Sequence, residues 1–177
     1  VGFGQIARAL RGSSWADHEY FTRSANRLGV DPTLGDNRLG FRCAFGTTTS
    51  SFDNSTTEVP AVIESPTLQE LDIDSTMTGD DGMILLNVPA GEFIMGSDAY
   101  RVALPIHKVH LDAFWIDQTE VTNKMYSLCV KAGSCKEPTD KSSYTHTSYY
   151  GNSEFDNYPV VYVSWNDAVE YCKWANR

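Results

Sequence analysis

A chain of 177 residues with 41% hydrophobic and 12% aromatic content has the composition of one or two small globular domains, not of a disordered segment. Its formal net charge of -9 argues against nonspecific nucleic-acid binding, because displacing counterions from phosphates takes Lys and Arg. No apolar run approaches the ~20 residues of a membrane-spanning helix.

The charge is unevenly spread. Residues 1–43 carry net +2, residues 44–82 carry -8 with no Lys or Arg, and residues 83–177 carry -3. In the first segment an alternating stretch, Ile6, Ala7, Ala9 and Leu10, leads into Gly12-Ser13-Ser14-Trp15. Two arginine-rich strands are predicted, Phe21 to Arg27 and Leu39 to Phe45, with turn chemistry between them at Asp31-Pro32-Thr33 and Gly35-Asp36-Asn37. Residues 46–82, with the hydroxyl run at 47–51, Pro60 and Pro66, and the acids, are expected to be a linker. Asp72, Asp74, Asp80 and Asp81 do not form an EF-hand loop, since Met77 and Met83 stand where Gly and Glu are required. They are expected to be solvated linker acids.

From Met83 the pattern is denser. Strands are predicted at Met83–Val88 and Glu92–Met95, joined by Pro89-Ala90-Gly91, and a single strand at Lys108–Asp117 with Val109, Leu111, Ala113 and Trp115 on one face. Val121, Met125, Leu128, Cys129 and Ala132 recur at helical spacing, with Thr122 as N-cap and Gly133 as stop. A polar, aromatic loop covers 137–158, and Val160–Val163 is a predicted buried strand. Ser164-Trp165-Asn166-Asp167 is a capping-box start to a last helix facing inward through Ala168, Cys172 and Ala175.

Chemistry-bearing residues are sparse. His107 and His110, three apart on a strand, point to opposite faces and so do not chelate one ion. His18 and His146 lie in polar loops with no ligand-spaced partner. Asp17-His18 near Ser14 does not make a hydrolytic triad, which is recognised by geometry and not adjacency. Trp15, Trp115, Trp165 and Trp174 are expected in the core. Arg23, Arg27, Arg38 and Arg42 are expected to fix loops through the guanidinium fork; the alternative is a rim for an acidic peptide or a sugar. Cys129 and Cys135 are too far apart for a CxxC pair and flank Gly133. A local disulfide there would favour an oxidising, extracytoplasmic compartment, periplasmic or secreted; two free thiols are the alternative.

Several motifs taken in order resemble the formylglycine-generating enzyme, or sulfatase-modifying factor, family. VPAGEFIMGS, HKVHLDAFWIDQTEVTNKMY and YPVVYVSWNDAVEYCKWANR are similar to its N-terminal third. RGSSWADHEYFTRSANR…DNRLGFRCA is similar to its C-terminal end. The resemblance implies an irregular α+β, C-type-lectin-like fold, present as two partial modules. Residues 1–45 would be the C-terminal part of a first module, 46–82 a linker, and 83–177 the N-terminal part of a second. The chain, which opens on Val1, would be a fragment of a longer protein. This fragment alone is expected to fold poorly, because each partial module leaves its apolar strands without partners.

The resemblance also carries expectations about chemistry. Formylglycine-forming members oxidise a cysteine of a sulfatase peptide with O2 and copper held by two cysteines just after a GGS[WY] motif. Gly12-Ser13-Ser14-Trp15 stands at that motif, and Ser14 matches the family's active-site serine. Asp17 takes the place of the first copper cysteine, and neither Phe21 nor Thr22 supplies a second thiol. A carboxylate and a hydroxyl do not replace soft thiolates for Cu(I), so the visible tail is expected to be non-catalytic. No cofactor is expected in this fragment, the family's calcium-binding middle being absent from the sequence. Cys43 and Cys172 match a disulfide pair of the family; as members of different copies, they are expected to find partners outside this chain, a Cys43–Cys172 pairing within the fragment being the disfavoured alternative. The function classes are therefore a non-catalytic family fragment, a C-type-lectin-like module binding a protein, peptide or carbohydrate ligand, or a second copy active as a copper-dependent oxidase. The iron-dependent relatives' His-x3-His-x-Glu pattern does not occur.

Overall fold

The computed structural model describes residues 7–12, 14, 16–18, 27–46, 76–98 and 104–177. Strands β1 (Arg8–Arg11) and β2 (Arg27–Val30) form an antiparallel pair. Strands β3 (Ala44–Gly46), β4 (Thr76–Thr78), β5 (Ile84–Val88) and β8 (Phe114–Asp117) form one antiparallel sheet in the order β3-β8-β5-β4. Strands β6 (Gly91–Met95) and β7 (His107–Leu111) form a separate ribbon. Two helices follow, α1 (Asn123–Lys131) and α2 (Trp165–Trp174), with a short 3-10 turn at Ser153–Phe155. The architecture is α+β.

Strand β5 shows why this sheet has an inside. Met83 and Leu85 are almost fully buried while Ile84 between them is exposed, the period of two that a half-buried strand imposes. The core gathers these residues with Cys43, Val121, Tyr126, Cys129, Val160, Val163, Tyr171 and Ala175. Tyr126 and Tyr171 stack at 5.7 Å between ring centroids, joining the two helices, and Phe41 meets both edge-on. Burying two tyrosines requires a partner for each hydroxyl. Tyr126 donates to the Lys136 carbonyl at 3.0 Å, and Tyr171 donates to Asp81.

The structure corrects several expectations. The strand predicted at 108–117 is two strands in different sheets: β7 pairs with β6, and β8 lies between β3 and β5. Alternation continues through Asp112 and Ala113, so periodicity alone cannot reveal the exchange of partners. The buried face of α1 is Asn123, Tyr126 and Cys129, while Leu128 is exposed. The face runs through polar-tipped residues whose hydrogen bonds permit burial, as when Asn123 Nδ2 donates to the Phe155 carbonyl at 2.9 Å. Tyr171, not Ala168 or Cys172, is the buried centre of α2. Val160 and Val163 are buried as expected, but their segment makes only an isolated bridge, Thr122 to Pro159, and no strand. Trp165 is exposed, with the Arg8 guanidinium 4.1 Å above its ring.

Strand pairing and hydrogen bonds cross between the two segments. Residues 31–46 are built into the body formed by 76–177. Strand β3 pairs with β8, and the amides of Val121, Tyr162 and Asn166 donate to the carbonyls of Phe41, Asp36 and Pro32. Gly35 lies so close to Tyr162 that an added Cβ would be 2.7 Å from its carbonyl oxygen. Thr76–Thr78, assigned to the linker by composition, is an edge strand paired with β5. The linker assignment for 47–75, the predicted strand at 21–26, Trp15 and Arg23 lie outside the described residues.

Candidate functional site

Ser14 and Asp17 come together in one turn. The Ser14 hydroxyl and amide both donate to Asp17 Oδ2 at 2.8 Å, and the Asp17 amide donates to the Ser14 carbonyl at 3.1 Å. The same Ser-x-x-Asp pattern recurs at the start of α2, where Ser164 and Asp167 form a capping box. A serine hydroxyl committed to a carboxylate three residues along the chain stabilises a turn, the pair satisfying its amides. His107 Nδ1 contacts the Pro105 carbonyl at 2.8 Å, and His110 lies 3.8 Å from Asp112. Among the described residues, no three His, Cys, Asp or Glu side chains are grouped so as to hold a metal ion.

All four cysteines are in disulfides. Cys129 joins Cys135 across the turn that ends α1, where Gly133 has φ 76°. Cys43 joins Cys172 within this chain, contrary to the expectation of outside partners. The reason is tertiary: pairing of β3 with β8 sets Cys43 against α2, with the two Cα atoms 5.6 Å apart, inside the range a disulfide requires.

Among the described residues, Asp81, Asp117 and Arg177 form a buried charged cluster that meets that disulfide through the Cys43 amide and the Cys172 carbonyl. Asp117 ends β8. Its carboxylate accepts from the Cys43 amide at 2.8 Å and lies 3.2 Å from Arg177 Nε, and its carbonyl accepts from Arg42 Nε at 2.7 Å. Asp81 lies in the turn between β4 and β5. It accepts from Arg177 Nη1 at 3.1 Å, and also from Arg177 Nη2 and the Tyr171 hydroxyl. The side chains of Asp81 and Asp117 are wholly buried, and that of Arg177 is 2% exposed. Asp81 is therefore not a solvated linker acid. Burial pushes its pKa up, but hydrogen bonds from Arg177, Tyr171 and the Met83 amide outweigh burial and hold it below the ordinary carboxylate value. Asp117 is held above that value because burial outweighs the Cys43 amide and the charge of Arg177. Burial, with the Asp81 carboxylate beside it, drives the Tyr171 phenol upward, so it remains a neutral donor.

Sequence reasoning missed this cluster. One signal was present: Asp117 shares strand parity with Trp115 and so with the face assigned to the core. Nothing local marks Asp81 or Arg177, whose pairing spans 96 residues. Of the arginines singled out, Arg38 chelates Asp36 on a loop and Arg42 fixes the end of β8. Both make guanidinium hydrogen bonds within the chain.

Comparison with known proteins agrees with these motifs. A family described as sulfatase-modifying factor enzyme 1-like domain matches residues 72–177. The formylglycine-generating enzyme of Streptomyces coelicolor is 28% identical over 135 residues, covering 52% of this chain and 42% of the relative. The mouse formylglycine-generating enzyme is 26% identical over 133 residues, covering 52% and 36%. Bacillus subtilis YfmG is 31% identical over 117 residues, covering 56% of this chain and 23% of that protein. The chain thus spans less than half the length of these relatives. No solved structure matches the chain.

Proposed function

We propose, for a chain that belongs to the sulfatase-modifying factor enzyme 1-like domain family, that it serves as a non-catalytic binding part of a longer protein. In this reading its residues are two partial modules of a C-type-lectin-like fold, and it works in an oxidising, extracytoplasmic compartment. The observation that carries the reading is the state of the sulfurs. Cu(I) is held in the family by two thiolates, soft donors that suit it, and all four cysteine sulfurs of the chain are in disulfides. Asp17, at the position resembling the first copper cysteine, is occupied by the Ser14 turn. The residues present do not fit copper, and no oxidative step is derived from them. Two disulfides also support the compartment, since cytosolic thiols are kept reduced.

The test incubates the purified chain with Cu(I), O2 and a cysteine-containing sulfatase peptide, followed by aldehyde capture and mass spectrometry. No aldehyde is expected. Catalytic aldehyde formation would overturn the reading and restore the oxidase alternative.

A further inference from the structure

Residues 31–46 lie outside residues 72–177, the part matched to the family, yet they are seated on it as a bound peptide would be. Much of the seat is main chain. The Cys43 amide donates to the Asp117 carboxylate at 2.8 Å, and the Asp117 amide donates back to the Cys43 carbonyl at 2.9 Å. The amides of Val121, Tyr162 and Asn166 reach the carbonyls of Phe41, Asp36 and Pro32. Residues 44–46 then add a strand to β8.

The side chains follow the alternation of a peptide added to a sheet edge. Phe41, Cys43 and Phe45 are covered wholly or in part, whereas Arg42 and Ala44 between them are exposed. Phe41 sets its ring edge-on to Tyr126 at 6.4 Å and to Tyr171 at 5.5 Å. Cys43 is the covalent anchor, on Cys172 of α2. In sequence, residues 47–75 stand between this segment and β4, so every contact that seats the segment is one that a second copy supplies equally well. The bond that holds it is a disulfide, which opens and re-forms by thiolate attack.

We propose that the seat between the β8 edge and α2 is an exchangeable docking site whose partner is residues 31–46 of a second copy of this chain. Each copy donates one segment and accepts one, which closes as a symmetric pair. In dilute protein a copy's own tether holds its segment at an effective concentration of about 1 mM. Exchange therefore takes a small thiol to open Cys43–Cys172 and protein at a comparable concentration. Cys43 is buried and Cys172 only partly so, so the small thiolate attacks the Cys172 sulfur and Cys43 leaves as a thiolate. The Cys43 thiolate of the second copy then attacks the Cys172 sulfur and displaces the small thiol. No sulfur is oxidised or reduced overall. Such exchange goes beyond the binding-part reading above and does not depend on it.

The test mixes unlabelled and isotope-labelled chains at about 1 mM in a glutathione redox buffer, quenches thiols by alkylation and maps the disulfides without reduction. Mixed-isotope Cys43–Cys172 peptides are expected, in a fraction that rises with concentration. Cys129–Cys135 should stay within one copy, because a separation of 6 residues closes it locally. In a second arm, a synthetic peptide of residues 31–46 is offered to the intact chain in the same buffer. It should be captured on Cys172, with Phe41→Ala in the peptide lowering capture about tenfold and a scrambled peptide captured no better than that variant. Circular dichroism should remain native throughout. Absence of mixed Cys43–Cys172 bonds, equal mixing at both disulfides, equal capture of native and scrambled peptides, or loss of the native spectrum as the bond opens would overturn the docking site.

Discussion

At the scale of single residues, two buried aspartates share one arginine, which favours the ionised form of both, yet their pKa values move in opposite directions because burial outweighs the hydrogen bonds at Asp117 and not at Asp81. Asp81 accepts from two guanidinium nitrogens, a phenol and the Met83 amide, while Asp117 accepts from one backbone amide and faces Arg177 Nε at 3.2 Å without a hydrogen bond. Asp81 consequently titrates below, and Asp117 above, the ordinary carboxylate value. A depressed carboxylate stabilises the fold above its unfolded pKa, and this contribution is lost as pH falls through the folded value. A raised carboxylate contributes fully below the unfolded pKa and loses that contribution as pH rises through the folded value. Asp81→Asn should therefore cost about 3 kcal/mol at neutral pH, because it leaves Arg177 buried with a weakened partner. That deficit should shrink on acidification. Asp117→Asn should cost less and should gain on the wild type as pH rises from about 3 to 6. Denaturant unfolding of both variants across that range tests this; parallel pH slopes would show that the cluster does not divide charge as described.

Among the secondary-structure elements, the helices are set by their ends and the strands by their partners. Thr122 Oγ1 accepts from the Met125 amide at 3.3 Å, and Ser164 and Asp167 cap α2 reciprocally. Such contacts need only neighbouring residues, and both starts were readable in the sequence. Ser164→Ala should remove one side of the box and cost about 1 kcal/mol, read as a lower thermal midpoint with unchanged helical circular dichroism at low temperature. An unchanged midpoint would mean that packing of Tyr171, not the cap, holds the start of α2. Strand β8 is different in kind. Its register against β5 and β3 depends on residues up to 32 and 72 positions away, with nothing in 108–117 to announce it.

For the whole molecule, the decisive contact is the one that brings residues 31–46 onto the body that follows. The Cys43–Cys172 bond closes a separation of 129 residues, against 6 for Cys129–Cys135. Loop-closure entropy grows with the logarithm of length, so the long bridge should stabilise by about 5 kcal/mol and the short one by about 2 kcal/mol. Replacing each pair by serines and measuring unfolding free energy tests that order. Non-reducing peptide mapping should find Cys43 joined to Cys172 in monomeric protein; finding that bond only between copies would detach residues 31–46 from the body described above. Phe93, Ile94 and Leu111 of the β6–β7 ribbon are exposed, as are Leu104 and Ile106 just before β7.

The α+β class, both helix starts, the Cys129–Cys135 bond and the family itself followed from the order of residues, because caps, turns and motifs are local and their geometry is carried by a few adjacent side chains. Tertiary packing decided the division of 108–117 between two sheets, the tyrosine-centred faces of α1 and α2, the Cys43–Cys172 bond and the burial of Asp81 with Arg177. Hydrophobic periodicity ranks tyrosine, asparagine and aspartate as surface residues. They become core residues only when a distant segment supplies the hydrogen bond or charge that replaces water, and no spacing along the chain records where that partner will be.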